Sequence, residues 1–146
     1  MMVILALDYG EKRIGVALSS ADEKFVFSRP FIKRVGNTQA IDRIIEFISQ
    51  EKAELIVLGA PYNMDDSLGE SMEKVLSFKK SLEKKINYTT RLIERPSVVL
   101  WDERNTTTEA TKILLEQDVS RKKRKGVVDS LAASLLLEDY LKQKGA

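Results

Sequence analysis

The chain has 146 residues, 43% of them hydrophobic, and a formal net charge of +2. That length and composition fit one compact domain, residues 1–146, with a core of its own. It holds no cysteine and no histidine. Their absence excludes disulfides, thiolate nucleophiles, cysteine-based zinc or iron–sulfur sites, imidazole bases, Ser-His-Asp triads and histidine-ligated transition metals. Any metal would rest on carboxylates, carbonyls and water, a donor set that suits Mg²⁺ or Mn²⁺. No apolar run is long enough to span a bilayer. The first charges arrive only after the first apolar stretch, unlike a signal peptide, so a cytoplasmic location is expected.

The first element is the run Val3-Ile4-Leu5-Ala6-Leu7, ending in Asp8. It is apolar at successive positions, as in a strand buried on both faces. The Gly10-Glu11-Lys12 turn leads to a second strand, Ile14 to Leu18, in which Gly15 suggests a bulge or a close backbone approach. Phe25 to Val35 supplies a third strand, with Arg29-Pro30 marking an interruption or an edge. Ile41, Ile44, Ile45 and Ile48 then follow helical spacing, with Asn37 or Thr38 as the N-cap. Glu54 to Gly59 reads as a buried strand stopped by Pro61. Ser67 and Glu70 form a capping-box pattern ahead of a helix carrying Met72, Val75, Leu76 and Leu82. The stretch Lys84 to Pro96 has little pattern and is expected to be a mobile connection. Val98 to Trp101 is the fifth strand, and Thr106 with Glu109 opens a further helix. Val128, Leu131, Ala132 and Leu135 mark a C-terminal helix reaching about Lys142. Three hairpin-linked strands followed by strand–helix alternation imply an α/β fold, a mixed five-stranded sheet with helices on its faces.

Acidic residues fall where that arrangement converges. Asp8 closes the first strand on the face of Ile4 and Ala6, and open α/β sheets place ligand sites at such carboxyl ends. A carboxylate there needs a cationic partner, either a metal ion or a side chain such as Lys12 or Arg13 across the turn. Asp102 and Glu103 end the fifth strand and point to opposite faces if it persists through them. They could equally be turn residues favoured near a helix N-terminus. Asp129 is expected in the first turn of the last helix, directly after Arg121, Lys122, Lys123, Arg124 and Lys125, where an acidic residue also stabilises a helix without further function. The basic run could meet phosphates or simply be a solvated loop. After the fourth strand, Asn63 could bond substrate or backbone, and Tyr62 could stack on a base or shape a turn.

Four blocks in order carry a resemblance over nearly the whole chain: Asp8-x-Gly10-x-Lys12-Arg13-Ile14-Gly15-Val16-Ala17; Gly59-x-Pro61-x-Asn63-Met64-Asp65; Asp102-Glu103-Arg104-x-Thr106-Thr107; and Lys123-x-Lys125-x₃-Asp129-Ser130-x-Ala132-Ala133. In these the chain resembles the YqgF (RuvX-type) family of the RNase H-like nuclease fold. The resemblance implies an acidic cluster of Asp8, one or both of Asp102 and Glu103, and Asp129, holding divalent Mg²⁺ or Mn²⁺, with two ions expected. It implies phosphodiester hydrolysis, with Lys12, Arg13, Asn63, Arg104 and the basic run 121–125 holding nucleic acid. Related junction resolvases carry a glutamate at the end of the fourth strand, where this chain has Gly59-Ala60, so Asp102-Glu103 must substitute.

Family members are associated with 5′-end maturation of pre-16S ribosomal RNA, so the expectation is a hydrolase acting on structured RNA, in ribosome biogenesis and within a precursor particle. The alternatives are a Holliday-junction resolvase acting on four-way DNA junctions, which needs two sites related by symmetry and hence a homodimer rather than a monomer, and a nucleic-acid-binding module with an idle nuclease fold. An actin-like kinase binds nucleotide between two domains, and this chain has room for one.

Overall fold

A computed structural model of the chain describes residues 1–61, 69–102 and 121–145, by backbone alone over 121–130. Five strands form one sheet among the described residues: β1 (Ile4–Tyr9), β2 (Arg13–Ser19), β3 (Val26–Lys33), β4 (Leu55–Ala60) and β5 (Ser97–Asp102). Three helices accompany them: α1 (Asn37–Glu51), α2 (Glu70–Tyr88) and α3 (Arg121–Lys144). The strand order is β3-β2-β1-β4-β5. β1, β2 and β3 pair antiparallel through short connections, while β4 joins β1 and β5 joins β4 in parallel. A parallel return needs a crossover, and α1 supplies it between β3 and β4. This is the mixed sheet expected from the order of elements; the helix expected from Thr106 lies outside the described residues.

β1 is apolar at successive positions because both of its faces are covered. Leu5 and Leu7, with Val16, Ile56 and Leu58, meet Ile44, Ile45 and Ile48 of α1 and Val75, Phe78 and Leu82 of α2. Ile4 and Ala6, with Ala17 and Val57, meet Ala133, Leu136 and Leu137 of α3 on the opposite face. Strand alternation therefore divides the protein into an α1/α2 side and an α3 side.

β3 is an edge strand with an irregularity in its centre. Ile14 pairs with Ile32 and Val16 with Arg29, so Pro30 and Phe31 together face the single residue Gly15. Pro30 has no N–H to donate, and an edge position with a bulge is where a strand tolerates it. Both the Arg29-Pro30 interruption and the bulge at Gly15 were legible in the residue types.

Several helix boundaries differ from expectation. The N-cap of α1 is Gly36 and makes no side-chain cap bond. Asn37 is occupied elsewhere: its Oδ1 accepts from the Tyr9 hydroxyl at 3.0 Å and from Arg34 Nη1 at 3.1 Å. Gly69 is the N-cap of α2, with Glu70 as the first helical residue; Ser67 of the expected capping box lies outside the described residues. α2 continues to Tyr88, and the remainder of the expected mobile connection is folded down. Leu92 is buried, and the Arg95 guanidinium donates to the carbonyls of Ile86 and Thr89. Backbone carbonyls capped by an arginine leave no apolar period to read, which is why that segment lacked a pattern.

α3 begins at Arg121, so the basic run expected as a loop is helical, and position 129 lies more than two turns inside the helix rather than in its first turn. Three contacts locate α3 on the sheet. Ser134 Oγ is 2.5 Å from Ser28 Oγ on β3, and Trp101 Nε1 of β5 donates to Asp139 Oδ2 at 2.7 Å. Trp101 also meets Tyr140 edge-on, with ring centroids 5.1 Å apart. At the far end Lys144 Nζ donates to Glu23 Oε1 at 2.8 Å, while Glu23 Oε2 accepts from the Met2 N–H at 2.9 Å. No helix of the described residues is long and apolar enough to cross a membrane.

Ala133 is fully buried against the sheet, so Ala133→Leu is expected to lower stability by about 1–3 kcal/mol in a urea titration through overpacking. The Lys144 hydrogen bond, helped by that from Met2, holds the Glu23 carboxyl below its ordinary value against a smaller opposing effect of burial. A depressed folded value contributes stability above the unfolded value of 4.5, which is lost as pH falls through the folded one. Glu23→Gln should therefore lower the denaturation midpoint at pH 7, with the difference from the parent chain shrinking in acid.

Candidate active site

Asp8 lies at the carboxyl end of the central strand, half-buried. It alternates in phase with Ile4 and Ala6, which places it on the α3 side. Its surroundings in the sheet are unusually small. Gly15 of β2 is its cross-strand partner. On the other flank Leu7 pairs with Leu58, so the next residue of β4, Gly59, stands beside Asp8. Gly59 in turn pairs with Trp101 of β5. Within the sheet the carboxylate is thus flanked on both sides by residues without side chains.

The two acidic residues at the end of β5 separate. Asp102 pairs with Ala60 and is in phase with Val98 and Leu100, which pack on the α1/α2 side. The structure does not bring it onto the face of Asp8. Glu103, Arg104 and Asn63 lie outside the described residues. Asp129 and the basic positions 121–125 are placed by the backbone of α3. Among the described residues no three acidic side chains come together as a metal-binding group.

The β1–β2 turn that carries Asp8 is braced from the opposite face. A Cβ added at Gly10 would come within 2.5 Å of the Arg13 carbonyl oxygen, so the turn closes only with glycine there. Arg34 Nε donates to the Gly10 carbonyl at 3.1 Å, and its guanidinium lies over the Tyr9 ring, 5.2 Å from the centroid. The Arg34 N–H donates to the Lys12 carbonyl at 2.9 Å. Tyr9 packs on Phe78 of α2 with centroids 4.4 Å apart. One arginine thus ties the turn to the start of α1 through Asn37, although Arg34 carries no signal in the sequence beyond following Lys33. Lys12 is exposed at the turn, and Arg13 begins β2 on the side of Asp8.

The architecture recurs in solved structures. Thermus thermophilus RuvC in complex with a Holliday junction substrate superposes with a TM-score of 0.59 at 12% identity, covering 100% of this chain and 98% of that one. Fowlpox virus resolvase, in complex with substrate Holliday junction DNA, gives 0.59 at 12% identity over 98% and 99%. The fold is therefore the RNase H-like one of the RuvC-type resolvases. A family model described as "RuvX: Holliday junction resolvase" matches residues 2–143, and the chain belongs to that family. A relative from Halothermothrix orenii is 41% identical over 140 residues, spanning 96% of this chain and 94% of its own length. Another from Clostridium kluyveri is 42% identical over 140 residues, spanning 96% of each. Both carry the name "Putative pre-16S rRNA nuclease".

Replacing Arg34 by alanine removes two charged donors from the turn and is expected to cost about 1.5–3 kcal/mol in a denaturant titration. Hydrogen exchange should locate the loosening at the amides of residues 9–13, with the amides of β4 unaffected.

Proposed function

We propose that the chain is a divalent-metal-dependent endonuclease that hydrolyses phosphodiester bonds in precursor 16S ribosomal RNA, at its 5′ end, with Asp8 as the central carboxylate. The observation that carries this reading is the placement of Asp8: the carboxyl end of the middle strand, on the α3 side, between Gly15 and Gly59. The names of the two relatives supply the substrate.

The direction of α3 supports Asp129 as a second carboxylate. The C-terminal end of α3 is tied to Glu23, which also holds Met2 just before β1. The helix therefore runs antiparallel to β1, with its N-terminal half toward the end that carries Asp8. Ser134 meets Ser28, which pairs with Ala17, which pairs with Ala6. From that level, two strand residues climb about 6.6 Å to Asp8 and five helical residues climb about 7.5 Å to position 129. Position 129 also lies four residues before Ala133 and seven before Leu136, in the helical phase of the sheet-facing stripe. On β5, Asp102 falls on the α1/α2 side, away from the face of Asp8, which favours its neighbour Glu103 as the third carboxylate.

The donor set fits the metal: carboxylates without histidine or cysteine favour Mg²⁺ or Mn²⁺. When bound, two such ions supply an activated water and charge neutralisation at the scissile phosphate. The chain's own part is to hold the carboxylates on a rigid strand and helix, and to meet the RNA backbone with Lys12, Arg13, Asn63, Arg104 and the positions from Arg121 to Lys125. The carboxylates would otherwise repel a polyanion, and this basic surround offsets that repulsion.

The test is cleavage of end-labelled pre-16S leader RNA with Mg²⁺ or Mn²⁺, with four-way junction DNA as the comparison substrate. Asp8→Asn is expected to lower the rate by more than about a hundredfold, beyond what loss of an outer-shell partner of a metal costs, while leaving the melting profile and RNA binding in place. Chelation should abolish cleavage and added metal restore it. Unaltered cleavage by Asp8→Asn would remove Asp8 from the site, and binding without cleavage by the parent chain would favour a binding module.

A further inference from the structure

The sheet face that carries Asp8 continues toward the β3 edge, where it bears two cations and an exposed aromatic ring. Arg13 lies two residues before Gly15, the partner of Asp8, so it stands one strand over and about 7 Å further out at the carboxyl end. Lys33 is the cross-strand partner of Arg13 and is exposed. Phe31, two residues before Lys33, shares that face: the Arg13 guanidinium carbon lies 5.0 Å from its ring centroid. Phe31 is 40% exposed on the outermost strand, within the bulge opposite Gly15.

A phenylalanine this exposed adds little to the core. Its position beside two cations, on the same face as the candidate carboxylate, suits contact with a nucleic-acid strand: the ring offers a stacking surface and the cations meet phosphates. Phe27 provides the contrast. It is 49% exposed, but it pairs with Leu18, whose side chain packs on the α1/α2 side.

We propose that Arg13, Phe31 and Lys33 form a platform for a single-stranded stretch of the substrate RNA, with Phe31 stacked on a base and Arg13 and Lys33 on phosphates. The inference rests on the nuclease reading for the placement of the scissile bond near Asp8. The platform gives the enzyme purchase on RNA that has left a helix, so it favours substrates with an unpaired flank beside the cut.

The test is fluorescence anisotropy of a labelled single-stranded oligouridylate, in chelator so that binding is read without cleavage, with cleavage of pre-16S leader RNA by the parent chain measured alongside. Phe31→Ala should weaken binding by at least about fivefold, Phe31→Tyr should restore it, and Phe27→Ala should leave it unchanged. Lys33→Gln should reduce the slope of log affinity against log salt by about one. Equal binding by Phe31→Ala, or full binding by Phe31→Leu, overturns the platform while leaving the nuclease reading intact if the parent chain cleaves. A dimer that Phe31→Ala dissociates without loss of RNA affinity would mark the edge as a self-association surface and overturn the platform too. A parent chain that neither binds nor cleaves RNA removes both readings.

Discussion

Ala133 is fully buried between α3 and the side chains of Ile4, Ala6, Ala17 and Val57. A helix can approach a sheet this closely only where the facing side chains are small on both partners, and here Ala133 meets Ala6 and Ala17. That close approach is the constraint on which the candidate site depends. It sets the distance of α3 from the sheet face on which Asp8 stands. The polar ties at Ser134, Asp139 and Lys144 then fix where along the sheet the helix lies, a quantity that apolar packing alone leaves loosely specified. Their strength matters less than their directionality, since each net bond contributes only about 1 kcal/mol.

The sheet side of Asp8 and the turn side behave differently, and both follow from residue size. Glycines at 15 and 59 withdraw side chains from around the carboxylate, whereas Tyr9, Arg34, Asn37 and Phe78 crowd the opposite face of the same turn. The outcome is a turn braced on one face, with the carboxylate on the other flanked by glycines. At the end of β4, Gly59-Ala60 adds nothing larger than a methyl group beside it.

The strands were legible because burial on both faces imposes an unbroken apolar run, as in Ile4 to Leu7 and Ile56 to Leu58, and because Pro30 and Gly15 announce a bulged edge. The position of Asp8 on the face of Ile4 and Ala6 followed from alternation alone. The beginnings of helices were less legible. Side-chain caps were expected at Asn37 and Ser67, but Gly36 and Gly69 occupy those places. Asn37 had a tertiary use that no local pattern reveals. The basic residues from Arg121 onward suggested a loop because like charges repel, yet lysine and arginine have good helix propensity and the helix extends through them. The side of the sheet on which Asp102 falls required the register of β4 against β5, which is invisible in a single strand.

The Ser28–Ser134 contact joins residues separated by 106 positions, and this has a bearing on how the molecule comes into being. β1, the middle strand, leaves the ribosome first; its parallel neighbour β4 follows after a crossover, and the helix that covers its second face emerges last. Until then Ile4, Ala6, Ala17 and Val57 face solvent as an uncovered apolar surface. Such non-local closure is slow and leaves intermediates prone to association. The sheet face that carries Asp8 is therefore the last to be enclosed, and this side of the protein takes its final form only when α3 docks across it.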